Sequence, residues 1–157
     1  MNKVEINQTM KLSEHFSLGE LTKTSVKTAD GNIPSHVAIE NLKRVCEWLE
    51  HLRAQYNLLY SDGSHPIIIN SGYRSEAVNK KVGGSPTSNH LTGCAVDIKV
   101  FGIEEALRYA VILLNYADLT REKFDELLIE RSPRGTYWLH FAVRPKENRR
   151  HIRFIQT

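Results

Sequence analysis

No stretch of this sequence approaches the roughly 18 consecutive apolar residues of a membrane-spanning helix, and Met1 to Leu12 lack the basic start and apolar run of an export signal. The chain is therefore expected to be cytoplasmic, with no membrane partner, and to reach a substrate outside the cytoplasm only if another route delivers it. Cysteine is scarce. Cys46 and Cys94 fall in segments that read as core, where a lone thiol acts as a small hydrophobe, so no disulfide is inferred. A dominant charge is also missing: 21 Lys and Arg stand against 18 Asp and Glu, too small an excess to argue for nucleic acid. The basic residues do bunch late, as Arg144, Lys146, Arg149, Arg150 and Arg153. That run reads as a solvated terminal face or, alternatively, as a surface for an anionic polymer. No repeat, low-complexity tract or Pro/Gly linker divides the chain, and no two metal-binding residues stand in a compact pattern such as HExxH.

What is present is enough apolar material for a core, 41% of 157 residues, at the usual size of one domain. One domain over residues 1–157, acting as a monomer, is the expectation. Residues 12–34 are polar and turn-rich, with apolar touches at Phe16, Leu18 and Leu21, and read as a short helix in an ordered lead-in. Ala38, Leu42, Val45, Cys46, Leu49 and Leu52 recur at helical spacing behind Pro34 and a capping Ser35, predicting a long amphipathic helix to about Tyr56. A strand is predicted at Pro66–Asn70, a small helix from Ser75, a second strand at Cys94–Val100 and a helix over 103–116. Asp125–Ile129 and Tyr137–Val143 read as a β-hairpin joined through Arg131 to Gly135. Strands and helices do not alternate regularly, which argues for an α+β fold with a small mixed or antiparallel sheet and flanking helices.

The segment richest in chemistry is Ser88-Asn89-His90-Leu91-Thr92-Gly93-Cys94-Ala95-Val96-Asp97. A His and an Asp separated by six residues, with Gly93 among them, fit a loop feeding a strand whose Asp projects back beside the His. Imidazole and carboxylate are both zinc ligands, and catalytic zinc commonly takes three protein ligands and keeps one position open. His140, on the otherwise apolar strand Tyr137-Trp138-Leu139-His140-Phe141, is the best third candidate, because an unpaired imidazole is costly to bury there. Each residue also has a purely structural reading: His90 as a cap, Asp97 paired with Lys99 or an arginine, His140 satisfied by a backbone carbonyl.

Several blocks in order, Phe16-Ser17-Leu18-Gly19-Glu20-Leu21, Ile69-Asn70-Ser71-Gly72-Tyr73-Arg74-Ser75, Asn79, Gly83-Gly84-Ser85, Ser88-Asn89-His90 through Gly93, Ala95 and Asp97, and Trp138-Leu139-His140, resemble the M15 zinc peptidases. The resemblance covers about residues 12–143 and is to the compact phage and bacterial branch similar to D-alanyl-D-alanine carboxypeptidase. It implies the fold shared with the hedgehog signalling domain, a Zn²⁺ held by His90, Asp97 and His140, and hydrolysis of a peptide bond in peptidoglycan stem peptides. It implies further that Arg74 meets a substrate carboxylate, a task suited to the planar guanidinium fork, and that Ser88 helps hold the substrate or the ligand loop. Arg74 also has a structural reading, an ion pair with Glu76 or Glu130.

One departure stands out. The better-known relatives carry an Asp or Glu three residues before the last zinc-binding His, where this chain has Tyr137. Hairpin geometry offers Glu130 as the catalytic base, since it ends the first strand and can share a face with His140; Glu126 and Asp125 are the remoter acids. Glu130 also reads as a solvated turn residue paired with Arg131 or Arg134, and a one-residue slip of register would turn it away. The rival to an enzyme is a non-catalytic zinc-binding module of the same fold that binds peptidoglycan or serves as a phage structural component.

Overall fold

The computed structural model describes residues 7–157. Helix α1, Leu18–Leu21, starts at Ser17 in a reciprocal capping box with Glu20, as the polar lead-in with buried Phe16, Leu18 and Leu21 predicts. Ser35 caps α2, His36–Tyr60, accepting the Ala38 N–H at 3.1 Å. The helix runs one turn past Tyr56; Leu58, Leu59 and Tyr60 are exposed, so that turn adds no core spacing for a sequence pattern to register.

Five strands form one mixed sheet in the order β1-β2-β4-β3-β5. β1 is Ile69–Ser71, later than expected, because only Ile69 and Ser71 pair with β2, across an irregular register. Ser75 caps α3, Glu76–Lys81, as expected. β2 is Ala95–Lys99, and α4 extends from Ile103 to Thr120, four residues beyond the expected end. β3, Glu126–Arg131, and β4, Tyr137–Ala142, form the predicted hairpin, with β3 shifted toward the turn. α2 and α4 pack together over one face of the sheet, where Val96, Ile98, Leu139 and Phe141 are fully buried beneath Trp48, Leu49 and Leu113. Cys46 and Cys94 are both free and buried, as the sequence implies. No helix among the described residues is long and apolar enough to cross a membrane.

The sequence reading missed β5, His151–Gln156, which runs parallel to β3 along the edge of the sheet. The basic run is thus not simply a solvated face. After β4 the chain crosses the start of β3 and ties itself to Asp125, whose side chain is fully buried. Arg149 grips that carboxylate with Nε at 2.9 Å and Nη2 at 2.7 Å, Arg144 Nε lies 3.2 Å from it, and Asn89 Nδ2 donates to it at 2.8 Å. The backbone N–H groups of Arg149 and His151 bond Asp125 as well. Ile152 and Phe154 alternate as a strand requires but remain 50% and 72% exposed, so β5 is held by backbone pairing and this charged knot more than by core burial. The alternation in His151-Ile152-Arg153-Phe154 was the available signal.

Burial alone would raise the Asp125 carboxyl, but the bonds from Arg149 and Asn89 and the charge of Arg144 bring it down to about 2. Its folded value lies below the ordinary value of about 3.9. The stabilisation is therefore complete above about pH 4 and is lost as the pH falls through about 2. Asp125→Asn should cost about 2 kcal/mol near neutral pH, the scale of charge-assisted hydrogen bonds. The urea midpoints of wild type and variant should converge as the pH approaches 2; a gap that persists there would show that the ion pairs are not its source.

Candidate metal centre

The alternation that buries Val96, Ile98, Leu139 and Phe141 against the helices sends their neighbours to the opposite face. Asp97 on β2 and His140 on β4 are direct cross-strand partners, and Ser71 of β1 stands opposite Asp97 on the other side. His90 comes from a single 3-10 turn, Asn89–Thr92. Ser88 caps that turn by accepting the His90 N–H, and Gly93 ends it with φ 74°. Gly93 lies so close to the Ala38 carbonyl of α2 that a Cβ has no room, so both its left-handed backbone and its contact require glycine. The chain then enters β2 and reaches Asp97.

These three residues place one donor atom each within 4.8 Å of one another, the one such cluster of three His, Cys, Asp or Glu among the described residues. His140 Nδ1 lies 3.0 Å from Asp97 Oδ1, and His90 Nε2 lies 3.4 Å from Asp97 Oδ2. His90 Nδ1 is bonded to the Gly72 carbonyl at 2.7 Å, so that nitrogen carries a proton and, in the neutral ring, Nε2 keeps its lone pair. That Nε2 is buried and has no hydrogen-bond partner. A buried lone pair facing a carboxylate is unfavourable unless a cation stands between them. Two imidazoles and a carboxylate fit zinc, with the fourth side open to a groove of 680 Å³.

Electrostatics agree with a cation site. Burial would raise the Asp97 carboxyl, yet His90 and His140 hold it well below the carboxylate range. Burial would lower His140, but hydrogen bonds to Asp97 and Glu126 push it up to about 9, so the two carboxylates draw positive charge to this spot, as a proton on the ring that a bound cation would displace.

The groove also contains the other residues singled out by sequence. Arg74 donates through Nε to Ser71, through Nη1 to Asn79 and through Nη2 to Asp97 at 3.1 Å. Its ion pair is with Asp97, neither Glu76 nor Glu130, and its side chain is 15% exposed in the groove. Glu130 lies opposite Trp138, two residues from the Leu128–His140 pair, and so shares the His140 face. Its Oε2 accepts the Trp138 indole N–H at 2.7 Å, so its bonded partner is Trp138, with neither Arg131 nor Arg134 among its bonds. Burial, then the charge of Asp97, raises the Glu130 carboxyl above its ordinary value, with His140 and Trp138 partly offsetting this.

Two residues took on more importance than the sequence reading allowed. Glu126, set aside there as a remoter acid, has the same strand parity as Glu130, and its Oε1 lies 3.1 Å from His140 Nε2. Asn89 was read only as part of a motif, and it is buried with its amide on Glu126 and Asp125. Parity along β3 was the signal for Glu126; Asn89 had none beyond its position beside His90. Asp125 and Tyr137 have the opposite parity: Asp125 turns to the arginines and Tyr137 packs against the core.

Residues 14–126, well over half of the chain, match the family model described as Peptidase M15. Over 84 residues the chain is 29% identical to the Zinc D-Ala-D-Ala carboxypeptidase of Streptomyces albus G, an alignment covering 54% of this chain and 31% of that protein. The chain thus spans about a third of the length of the curated relative it matches. His140 lies beyond the matched segment, so its membership of the cluster rests on the strand register.

One zinc per chain is expected after reconstitution, read by elemental analysis. Replacing both His90 and His140 by Ala should abolish binding. Metal at 100 times its dissociation constant should stabilise the wild type by about 2.7 kcal/mol and leave the double variant unmoved. A wild type that takes up no zinc would refute the site, and a double variant with full stoichiometry would place the metal elsewhere.

Proposed function

This chain belongs to the peptidase M15 family, and on that premise we propose that it is a zinc metallopeptidase that hydrolyses a peptide bond in peptidoglycan stem peptides, most closely a D-Ala-D-Ala carboxypeptidase in type. The observation that carries the reading is the unpartnered His90 Nε2, aimed with Asp97 and His140 at an open groove that also holds an acid and an arginine. The name of the Streptomyces albus G relative supports both the metal and the substrate class.

His90, Asp97 and His140 would hold the zinc. When bound, it supplies a Lewis acid that polarises the scissile carbonyl, eases deprotonation of water and offsets negative charge developing on the oxygen. Glu130 takes the proton of the attacking water and returns it to the leaving amine. A carboxyl raised by burial and by Asp97 is suited to both halves of that exchange, and the Trp138 indole fixes one of its oxygens so that the other is free for the groove. Arg74 spends three of its five N–H groups on Ser71, Asn79 and Asp97; those remaining are available to a substrate carboxylate. Ser88 holds the turn that presents His90.

A second reading, a non-catalytic zinc-binding module of the same fold that binds peptidoglycan or serves as a phage structural part, is favoured by Tyr137 at the position where the better-known relatives carry an acid. Glu130 in the groove is the observation against it. Zinc-loaded protein incubated with sacculi and defined stem peptides separates the two, because the mass released names the bond cut and a binding module releases nothing.

Glu130→Gln should keep its zinc and lose a hundredfold or more in cleavage, within the range of about two to four orders of magnitude for a general base. Unchanged cleavage would remove Glu130 from the mechanism. Arg74→Ala, assayed at saturating zinc because its partner is Asp97, should lose about 2 kcal/mol or more of transition-state stabilisation toward a peptide with a free C-terminus. Normal cleavage by that variant would limit Arg74 to its ion pair.

A further inference from the structure

His140 lies between two carboxylates, one at each ring nitrogen. Asp97 Oδ1 stands 3.0 Å from Nδ1 and Glu126 Oε1 stands 3.1 Å from Nε2. A neutral imidazole has one N–H and one lone pair, and only the nitrogen with the lone pair can bind a cation. The Nδ1 side faces His90 and Asp97, whereas Glu126 is outside that cluster. Glu126 is itself held: its Oε1 also accepts Asn89 Nδ2 at 2.6 Å. The same Asn89 nitrogen donates to Asp125 at 2.8 Å, and its Oδ1 accepts Arg144 Nε at 2.8 Å. Asn89 is 7% exposed and opens the 3-10 turn that carries His90. One buried amide thus connects the acid behind His140, the Asp125 knot and the turn that presents the other histidine.

We propose that Glu126 is a positioning residue: by accepting the Nε2–H of His140 it leaves Nδ1 as the lone pair facing Asp97 and His90, while Asn89 fixes the Glu126 carboxylate in place. The two acids that share the His140 face then have separate tasks, Glu126 setting the tautomer and ring orientation of the ligand and Glu130 handling the proton of water. Carboxylates that accept the second N–H of a metal-binding histidine orient the ring and raise its basicity in this way. The role rests on the metal reading above, but its measure is metal affinity and not turnover.

The experiment is zinc affinity, by competition with a chromophoric chelator, for wild type, Glu126→Ala, Glu126→Gln and Asn89→Ala, with urea unfolding and stem-peptide cleavage in parallel. Glu126→Ala should bind zinc about tenfold to a hundredfold more weakly. Glu126→Gln, whose amide oxygen still accepts the Nε2–H, should recover most of that loss. Asn89→Ala should fall between them, and it carries the test if Glu126→Ala does not fold. Wild-type affinity in Glu126→Ala, or in Asn89→Ala where that variant stands in, overturns the role, as does a Glu126→Gln no better than the alanine variant. A Glu126→Gln that keeps wild-type zinc affinity but loses cleavage as Glu130→Gln does would make Glu126 a base as well and overturn the separation of tasks between the two acids. A wild type that binds no zinc overturns the metal reading and the positioning role together, an outcome distinct from the failure of Glu126 alone.

Discussion

Asp97 and His140 face each other directly across neighbouring antiparallel strands, and the chemistry of the groove depends on that register. Adjacent strands bring opposed side chains to about 5 Å, so one pairing places a carboxylate beside an imidazole without a dedicated loop. The pairing cannot slip, because the residues alternating with them, Val96, Ile98, Leu139 and Phe141, are fully buried beneath the helices. A shift by one residue would bring Asp97 or His140 into the core and core residues into the groove. The apolar face therefore fixes the polar one.

Around this pair the structure satisfies each candidate ligand on its far side from a different part of the chain. His90 leans on the Gly72 carbonyl, Asp97 receives Arg74 and His140 meets Glu126. Gly72 allows the first contact by its lack of a side chain: a Cβ there would collide with the Leu21 carbonyl, the acceptor of the Tyr73 N–H. The short α1 and its capping box thus bear on the orientation of His90 through Leu21 and Gly72.

The crossing from β4 to β5 gives the groove its polarity. Glu130 and Trp138 stand toward the hairpin turn, while Arg144 and Arg149 stand toward the other end, gathered there by Asp125. Asn89 touches both the arginine knot and Glu126, so the edge strand and the candidate metal cluster share a hydrogen-bond network although they are far apart in sequence.

Periodicity and caps were local, and so the sequence alone determined the α+β class, the long helix behind Ser35, the small helix behind Ser75, the hairpin and the buried cysteines. The resemblance carried by the blocks from Phe16 to His140 pointed in addition to the cluster of His90, Asp97 and His140 and to the zinc peptidase family. Helix ends at Tyr60 and Thr120 were not legible, because their last turns bury little and leave no pattern. The parallel placement of β5 was not legible either, since it depends on Asp125 collecting donors from residues up to 36 positions away. Only the tertiary structure decided that Arg74 bonds Asp97, that Glu126 backs His140 and that Glu130 rests on Trp138. The last two depend on which side chains share a sheet face across strands, and the first on where the loop after β1 meets β2, properties that no stretch of sequence contains by itself.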